Sequence, residues 1–192
     1  HRRRHAQHRL TFPRDLPLLL PFRAPSTTSH LQEGYGLLVQ PSLRLEAVNQ
    51  LLESCGERPR TAEIWSRVLA HSCWHLVVQN PQGHWVGFIR ATSDRALNAN
   101  LWDLITAPAD PARDSVIRAL VMASLDRLRR ELNGCSISIS APAEAIAVLH
   151  QAGFVIDPGG IRAMGLQLAR GDRSRSWSDG PGAQLDLSTA ES

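Results

Sequence analysis

Residues 98–121 read NANLWDLITAPADPARDSVIRALV, which predicts a strand, a loop and the start of a helix. Residues 98–106 alternate in polarity up to an apolar end before Pro108, as expected of a β-strand. Asp110-Pro111 has the pattern of an N-cap followed by proline at the first helical position. From Ile117 onward, apolar or small residues recur with the 3.6-residue period until Gly134, which predicts one long amphipathic helix.

Shorter segments on both sides extend this pattern. Residues 80–83, NPQG, form a connector of hairpin length between two apolar runs, so those runs are predicted to pair in antiparallel fashion. The expected strands are residues 36–39, 73–79, 85–89, 98–106, 136–140, 153–156 and 163–168, and the expected helices begin at Ser42, Thr61, Asp110 and Ala143. The sequence therefore predicts an α/β domain over residues 33–168, large enough to bury a full core without disulfides.

The two ends of the chain differ in composition from this domain. Residues 1–32 carry six arginines against one aspartate, a net charge of +5, whereas the rest of the chain carries 15 arginines against 17 acidic residues, or −2. The proline-rich arm 1–32 and the Gly/Ser/Asp-rich tail 169–192 are both expected to be disordered. Because the domain itself is not basic, nucleic-acid binding is not expected of it.

Several ordered blocks resemble the GNAT superfamily of N-acetyltransferases, particularly its cyanobacterial and plastid branch. The blocks are residues 83–94 (GHWVGFIRATSD), residues 98–108 (NANLWDLITAP), Gly153-Phe154, and residues 157–161 (DPGGI). The resemblance covers about residues 35–168. It implies a mixed, mostly antiparallel central sheet flanked by helices, and the transfer of an acetyl group from acetyl-CoA to a primary amine on a small molecule or a protein.

The resemblance also implies where acetyl-CoA would bind. In the family, the strand matching residues 101–106 holds the pantetheine through its backbone, and the following loop and helix start hold the pyrophosphate. The implied cofactor-binding residues are Leu104, Ile105, Thr106, Ala107, Arg113 and Arg118. The family loop is rich in glutamine and glycine because bare N–H groups must approach the phosphates closely. Here residues 109–117 contain neither, and Asp110 and Asp114 lie where a polyanion would bind.

The candidate catalytic residues are Asp103 and His150. Asp103 lies on the cofactor strand, where a carboxylate could accept the amine proton directly or through water. A tyrosine on the last helix commonly protonates the leaving thiolate in the family, but the matching position is Leu149 and the one tyrosine of the chain is Tyr35. His150 is the neighbouring group that could replace it. The loss of glycines and tyrosine supports an alternative, in which the domain is a non-catalytic binding or regulatory module.

The remaining chemistry-bearing residues have simpler interpretations. Asp94 and Glu57 could attract a cationic amine or be solvated loop carboxylates. His71, Cys73 and His75 alternate but have no second pair of ligands, so no metal site is expected. The three cysteines lack a C-x-x-C pair and are expected to be reduced thiols in the cytoplasm, or in the plastid stroma if residues 1–32 are a transit peptide. The arm could also bind an anionic partner, whether protein, nucleic acid or membrane, although no segment is apolar and long enough to span a membrane.

Overall fold

The computed structural model describes residues 31–158, of which residues 31–152 form a five-stranded sheet with helices on both faces. In chain order the elements are β1 (Gly36–Val39), α1 (Leu45–Ser54), α2 (Ala62–Ala70), β2 (Trp74–Gln79), β3 (Trp85–Ser93), β4 (Asn98–Thr106), α3 (Arg113–Glu131), β5 (Ser136–Ile139), a 3-10 turn (Ala143–Ala145) and α4 (Ile146–Gln151). These elements belong to one compact unit of the chain, which ends at Ala152.

The strands lie in the order β1-β2-β3-β4-β5, so each strand pairs with its neighbour in sequence. The first three pairings are antiparallel, and β4 and β5 are parallel because α3 carries the chain back across the sheet between them. The predicted α/β class with a mixed, mostly antiparallel sheet is therefore confirmed.

The two faces of the sheet have separate cores. On one face, α1 and α2 bury Leu52 and Trp65 against Val77 and Phe88. On the other face, α3 packs on β3 through Val116 and Leu120, which are fully buried. Successive strand residues point to opposite faces, so Val77 serves the first core while Val78 lies beside Gly87 in the second.

The close contact of α3 with β3 depends on Gly87. A Cβ atom at this position would lie 2.5 Å from Val116 Cγ1 and 2.9 Å from Leu120 Cδ1, well inside normal contact distance. Gly87→Ala should therefore lower the free energy of unfolding by about 1–3 kcal/mol, the usual cost of overpacking. Urea unfolding would measure it, with Gly36→Ala as the control because nothing lies within 4 Å of a Cβ atom there. Equal stability of both variants would contradict the tight packing.

Most of the predicted elements are confirmed, including all the strands up to residue 139 and the 80–83 connector, where Gly83 N–H donates to Asn80 O at 2.9 Å. The predicted cap Thr61 is also confirmed, because its Oγ1 accepts from Ile64 N at 3.4 Å. The helix ends near Gly56 and Gly134 are found as expected, and both glycines have positive φ.

Three predictions about element boundaries are wrong. Ser42 does not cap α1, which begins at Leu45 because backbone and side-chain bonds from residues 40–41 to His75 carry the chain further along β2. Asp110 is not the N-cap of α3. Its Oδ1 instead accepts from Ala112 N at 2.9 Å in a separate turn, and the helix begins at Arg113.

Residues 153–158 belong to a second compact unit and contain no strand, so the predicted strand at 153–156 is the third error. Gly153 has φ +98°, a conformation that ends a helix in a turn, and no paired strand neighbours this segment within the described residues. The predicted strand 163–168 and tail 169–192 lie outside the described residues, as does the arm apart from residues 31–32.

Candidate active site

The parallel strands β4 and β5 pair over only part of their length. Asn98–Leu101 is aligned with Ser136–Ile139, but β4 continues to Thr106 while β5 ends. Pro142 follows shortly after and has no backbone N–H with which to continue the ladder. The second half of β4 therefore has no strand neighbour on the β5 side among residues 31–158. This half of β4 is called the open edge below.

A β-bulge marks the beginning of the open edge. Phe88 pairs with Ile105 and Arg90 with Trp102, so two steps along β3 correspond to three along β4. Asp103 absorbs the extra residue with φ +51°, a left-handed conformation that aspartate tolerates better than most residues. The bulge places Asp103 on the α1/α2 face of the sheet, where it contacts Arg60 from the loop between these helices.

The hydrogen-bond pattern shows which backbone groups of the open edge face away from β3. Ala107 N–H donates to Val86 O at 2.9 Å. Because such bonds alternate along an antiparallel pair, the N–H and C=O of Thr106 point to the other side, away from β3. Consistently, the Cys55 thiol donates to Thr106 O at 3.4 Å. Thr106 therefore presents an N–H group at the open edge.

The side chains of the four residues predicted to bind pantetheine pack inside the domain. Leu104 and Thr106 are buried, and Ile105 and Ala107 pack against the α1/α2 core. Any contact of these residues with a ligand at the open edge would therefore be made by their backbone, as the family resemblance implies.

In the loop between β4 and α3, backbone N–H groups donate hydrogen bonds to acceptors of the same loop. Asp110 Oδ1 accepts from Ala112 N at 2.9 Å and from the Tyr35 hydroxyl at 3.0 Å, while Arg113 N donates to Asp110 O at 3.2 Å. Burial, then the hydrogen bond and charge of Asp110, raise the pKa of Tyr35. In the first turn of α3, the N–H groups of Asp114 and Ser115 have no acceptor within residues 31–158.

The two arginines predicted to assist the phosphates have partners inside the protein. Arg113 Nε donates to Thr106 Oγ1 at 3.1 Å, and its Nη2 forms an ion pair with Glu144, which follows β5. Arg118 Nη1 donates to Gln151 Oε1 of α4 at 2.9 Å. Arg113 therefore connects the end of β4 with the segment beyond β5, next to the open edge.

The carboxylate of Asp103 is bound by two arginines. Arg60 Nη2 lies 3.0 Å from Oδ1, and Arg90 Nε lies 2.5 Å from Oδ2. Burial alone would raise the pKa of Asp103, but the hydrogen bonds and charges of Arg60 and Arg90 outweigh it and hold the pKa below its ordinary value. A carboxylate held in this way is a weak proton acceptor, so the geometry favours a structural or binding role for Asp103 over that of a general base.

This pKa shift predicts a pH dependence of stability. Because the pKa of Asp103 is lowered on folding, its ion pairs stabilise the protein fully above the ordinary carboxyl pKa of about 4, and less as the pH falls through the folded-state value. At pH 7, Asp103→Asn should cost about 2 kcal/mol, less than the 3–5 kcal/mol of a fully buried pair. Urea unfolding at several pH values would measure the difference, which should shrink as the pH falls below about 4. A difference independent of pH would contradict this.

The structure also locates the other candidates. His150 lies on the exposed face of α4, one residue after the buried Leu149. Asp94 accepts hydrogen bonds from the N–H groups of residues 96–98 at 2.8–2.9 Å, and these bonds lower its pKa strongly. The Asp94 carboxylate is therefore hydrogen-bonded within its own hairpin. Glu57 is exposed in the loop after α1.

The histidines of the 71–75 segment have backbone partners. His71 Nδ1 lies 2.8 Å from Arg67 O, and His75 Nε2 lies 3.0 Å from Pro41 O. In the part of the chain that is described, no three His, Cys, Asp or Glu side chains come together as a metal site. None of the helices described there is long and apolar enough to cross a membrane.

The sequence interpretation missed three site residues, Arg60, Arg90 and Trp102, which surround Asp103. Arg90 and Trp102 occupy paired positions on β3 and β4, and Arg90 Cζ lies 5.9 Å from the Trp102 ring centroid. The hairpin register could have indicated that pair, because both residues lie in predicted strands. No signal in the sequence brings Arg60 to the same place, since it comes from a loop 43 residues before Asp103.

Comparisons with known proteins identify N-acetyltransferases as relatives of this chain, although no family model matches it. The chain is 34% identical over 140 residues to the chloroplastic GCN5-related N-acetyltransferase 1 of Arabidopsis thaliana, covering 69% of this chain and 68% of the relative. It is 29% identical over 126 residues to the N-acetyltransferase ycf52 of Porphyra purpurea, covering 64% of this chain and 71% of that protein. Matches to two other ycf52 proteins span less than half of their length.

Among solved structures, a GNAT-family acetyltransferase from Streptococcus pneumoniae superposes with a TM-score of 0.53 at 16% identity, over 71% of this chain and 98% of that one. At this identity the likeness concerns the fold, which includes the mixed sheet described above. The sequence relationship to the Arabidopsis protein and the shared fold together show that this chain belongs to the GCN5-related N-acetyltransferase (GNAT) family.

Proposed function

We propose that this protein transfers an acetyl group from acetyl-CoA to a primary amine, and that it binds the cofactor weakly. The observation that carries this proposal is the open edge of β4, where parallel pairing stops, a bulge begins at Asp103 and Thr106 directs an N–H group away from β3. An extended pantetheine chain could add to this edge as a short strand does, through backbone hydrogen bonds that need no particular side chain.

The chemical step needs few protein groups. The amine nitrogen attacks the thioester carbonyl carbon, a C–N bond forms, and the C–S bond breaks to release the CoA thiolate. The amine loses a proton and the thiolate gains one. Because Asp103 is bound by two arginines and Leu149 has no proton to give, we assign both transfers to water. Alignment of the reactants at the open edge would then supply most of the rate.

Weak cofactor binding follows from the loop before α3. The pyrophosphate would meet the N–H groups of Asp114 and Ser115, together with Arg113 and Arg118 if these exchange Glu144 and Gln151 for phosphate oxygens. Asp110 opposes binding in two ways: its charge repels phosphate, and its side chain already occupies Ala112 N–H.

A second candidate function rests on the same contacts. The Asp110 turn and the link from Thr106 through Arg113 to Glu144 satisfy several polar groups of the cleft without a ligand. A GNAT domain in this state could serve as a non-catalytic binding or regulatory module that acts through protein partners.

Calorimetric titration of the full chain with acetyl-CoA, with CoA as the control, distinguishes the two functions. Binding that is detectable below millimolar acetyl-CoA, followed by amine-dependent release of CoA thiol, would support the enzyme. No binding at millimolar acetyl-CoA would overturn it and leave the binding module as the explanation. An intermediate result, binding without thiol release over a panel of primary amines, would also favour the module.

For the N-terminal arm, we propose that residues 1–32 contact an anionic protein partner or direct the chain to a plastid stroma, and that the protein otherwise acts in the cytoplasm. The arm's net charge of +5 and the chloroplastic name of the Arabidopsis relative support this proposal. Removal of residues 1–32 should leave acetyl-CoA binding unchanged and alter partner capture or the location of a fluorescent fusion. Nucleic-acid binding with a steep salt dependence that disappears with the arm would instead assign it to nucleic acid.

A further inference from the structure

The cluster formed by Arg60, Arg90, Trp102 and Asp103 lies at the bulge that begins the open edge. Asp103 immediately precedes the residues assigned above to the cofactor, so the cluster borders the site where an acceptor amine would meet the thioester. The side chains are 28% exposed for Arg60 and 16% for Arg90, and Trp102 is 39% exposed. A ligand could therefore reach all three.

The cluster has an excess of positive charge. Two guanidinium groups face one carboxylate, and no acidic side chain of the described residues other than Asp103 is ion-paired with Arg60 or Arg90. Asp103 takes one N–H group from each arginine, and Arg90 Nη1 also lies 3.4 Å from Ser72 Oγ. Each guanidinium has five N–H donors, so most of the donors have no acceptor within the described residues.

The positions of both arginines are fixed by other contacts. The Asn49 amide holds the backbone of Arg60 on both sides, accepting from Arg60 N at 3.0 Å and donating to Arg60 O at 2.8 Å. The guanidinium of Arg60 lies 4.8 Å from the Trp65 ring centroid, and that of Arg90 lies over Trp102. Arginines held in this way lose little conformational entropy when an anion binds.

We infer that the acceptor of this enzyme is a primary amine that also carries a carboxylate, which Arg60 and Arg90 bind. This inference rests on the proposed acetyl transfer and names its substrate class. A purely cationic amine would be repelled by the excess positive charge, whereas a zwitterion would place its carboxylate on the free guanidinium donors. The exposed face of Trp102 offers contact for an apolar part of the acceptor. Two sources share this chemistry, a free amino acid and the N-terminus of an acidic peptide.

Phenylalanine and phenethylamine, which differ only by the carboxylate, test the inference as acceptors in a CoA-thiol release assay with the full chain. We expect kcat/KM to favour phenylalanine by at least about tenfold, the effect of roughly one charge-assisted hydrogen bond. Arg60→Gln should abolish most of this preference by raising KM for phenylalanine alone. Arg58→Gln, with the same charge change in the same loop, should leave it unchanged. An equal rate for both acceptors, or a preference for phenethylamine, would overturn the inference.

Two further measurements complete the test. The peptides Ser-Glu-Glu and Ser-Gln-Gln, compared with phenylalanine, show whether a side-chain carboxylate or the α-carboxylate of an amino acid is the better match. Calorimetry with phenylacetate needs no chemistry: wild type should bind it more tightly than Arg60→Gln. If phenylacetate binds in this way but no amine is acetylated, acetyl transfer has failed while the anion site stands. If acetylation occurs without discrimination and phenylacetate does not bind, only the anion site has failed.

Discussion

Replacing Asp110 with glycine should raise the affinity of the protein for acetyl-CoA by about 30-fold, which corresponds to roughly 2 kcal/mol. The change removes a carboxylate from beside the expected pyrophosphate, and it frees Ala112 N–H and the Tyr35 hydroxyl as donors. Calorimetric titration of wild type and variant at the same ionic strength would measure the gain. A gain that diminishes in high salt would further identify the charge of Asp110 as part of the cause.

Two variants separate the causes. Asp110→Asn removes the charge but keeps a side-chain oxygen that can accept from Ala112 N, so it should give only part of the gain. Glu57→Gln removes a carboxylate from an exposed loop and should give none. If Asp110→Gly binds no better than wild type, the open edge itself does not accept pantetheine, and the proposal of acetyl transfer loses its main support. Replacing the whole segment 109–116 would be a poorer test, because Val116 is fully buried against β3.

The sequence predicted the elements whose signals are local. The alternation in residues 98–106 and the NPQG connector each depend on neighbours within one strand or turn, and both are found in the structure. The capping predictions at Ser42 and Asp110 failed because longer-range contacts moved the helix starts. His75 holds residues 40–41 from across the sheet, and Tyr35 holds Asp110 over a separation of 75 residues.

The site was less predictable than the fold for the same reason. The family resemblance indicated the strand that contains Asp103 and the loop that contains Asp110, but not the partners that determine their chemistry. Arg60 reaches Asp103 across 43 residues, and Glu144 reaches Arg113 across 31. Because of these pairings, Asp103 is an ion-paired carboxylate instead of a free base. Arg113, which was expected to bind phosphate, is engaged in internal contacts. Single-sequence patterns do not contain that information.

Trp65→Ala should cost about 3–5 kcal/mol of the free energy of unfolding, the usual range for removing a buried tryptophan. Trp65 is fully buried in the α1/α2 core, stacks edge-on against Phe88, and donates from Nε1 to Asn49 Oδ1 at 3.1 Å. Because domains of this size have a free energy of unfolding of only about 5–15 kcal/mol, a large fraction of the Trp65→Ala molecules should be unfolded or easily unfolded at 37 °C. Urea unfolding monitored by circular dichroism would measure the loss.

Comparison with two milder changes shows why the loss should also reach the site. Trp102→Ala removes a partly exposed ring and should cost about 1 kcal/mol or less. Trp65→Phe keeps most of the buried ring but removes the hydrogen bond to Asn49, the residue that holds the backbone of Arg60. Trp65→Phe should therefore fold, with a cost of about 1–2 kcal/mol, and bind phenylacetate less tightly because Arg60 is less firmly placed. If Trp65→Phe loses stability but binds phenylacetate like wild type, Trp65 supports only the core, and the position of Arg60 is fixed by other contacts.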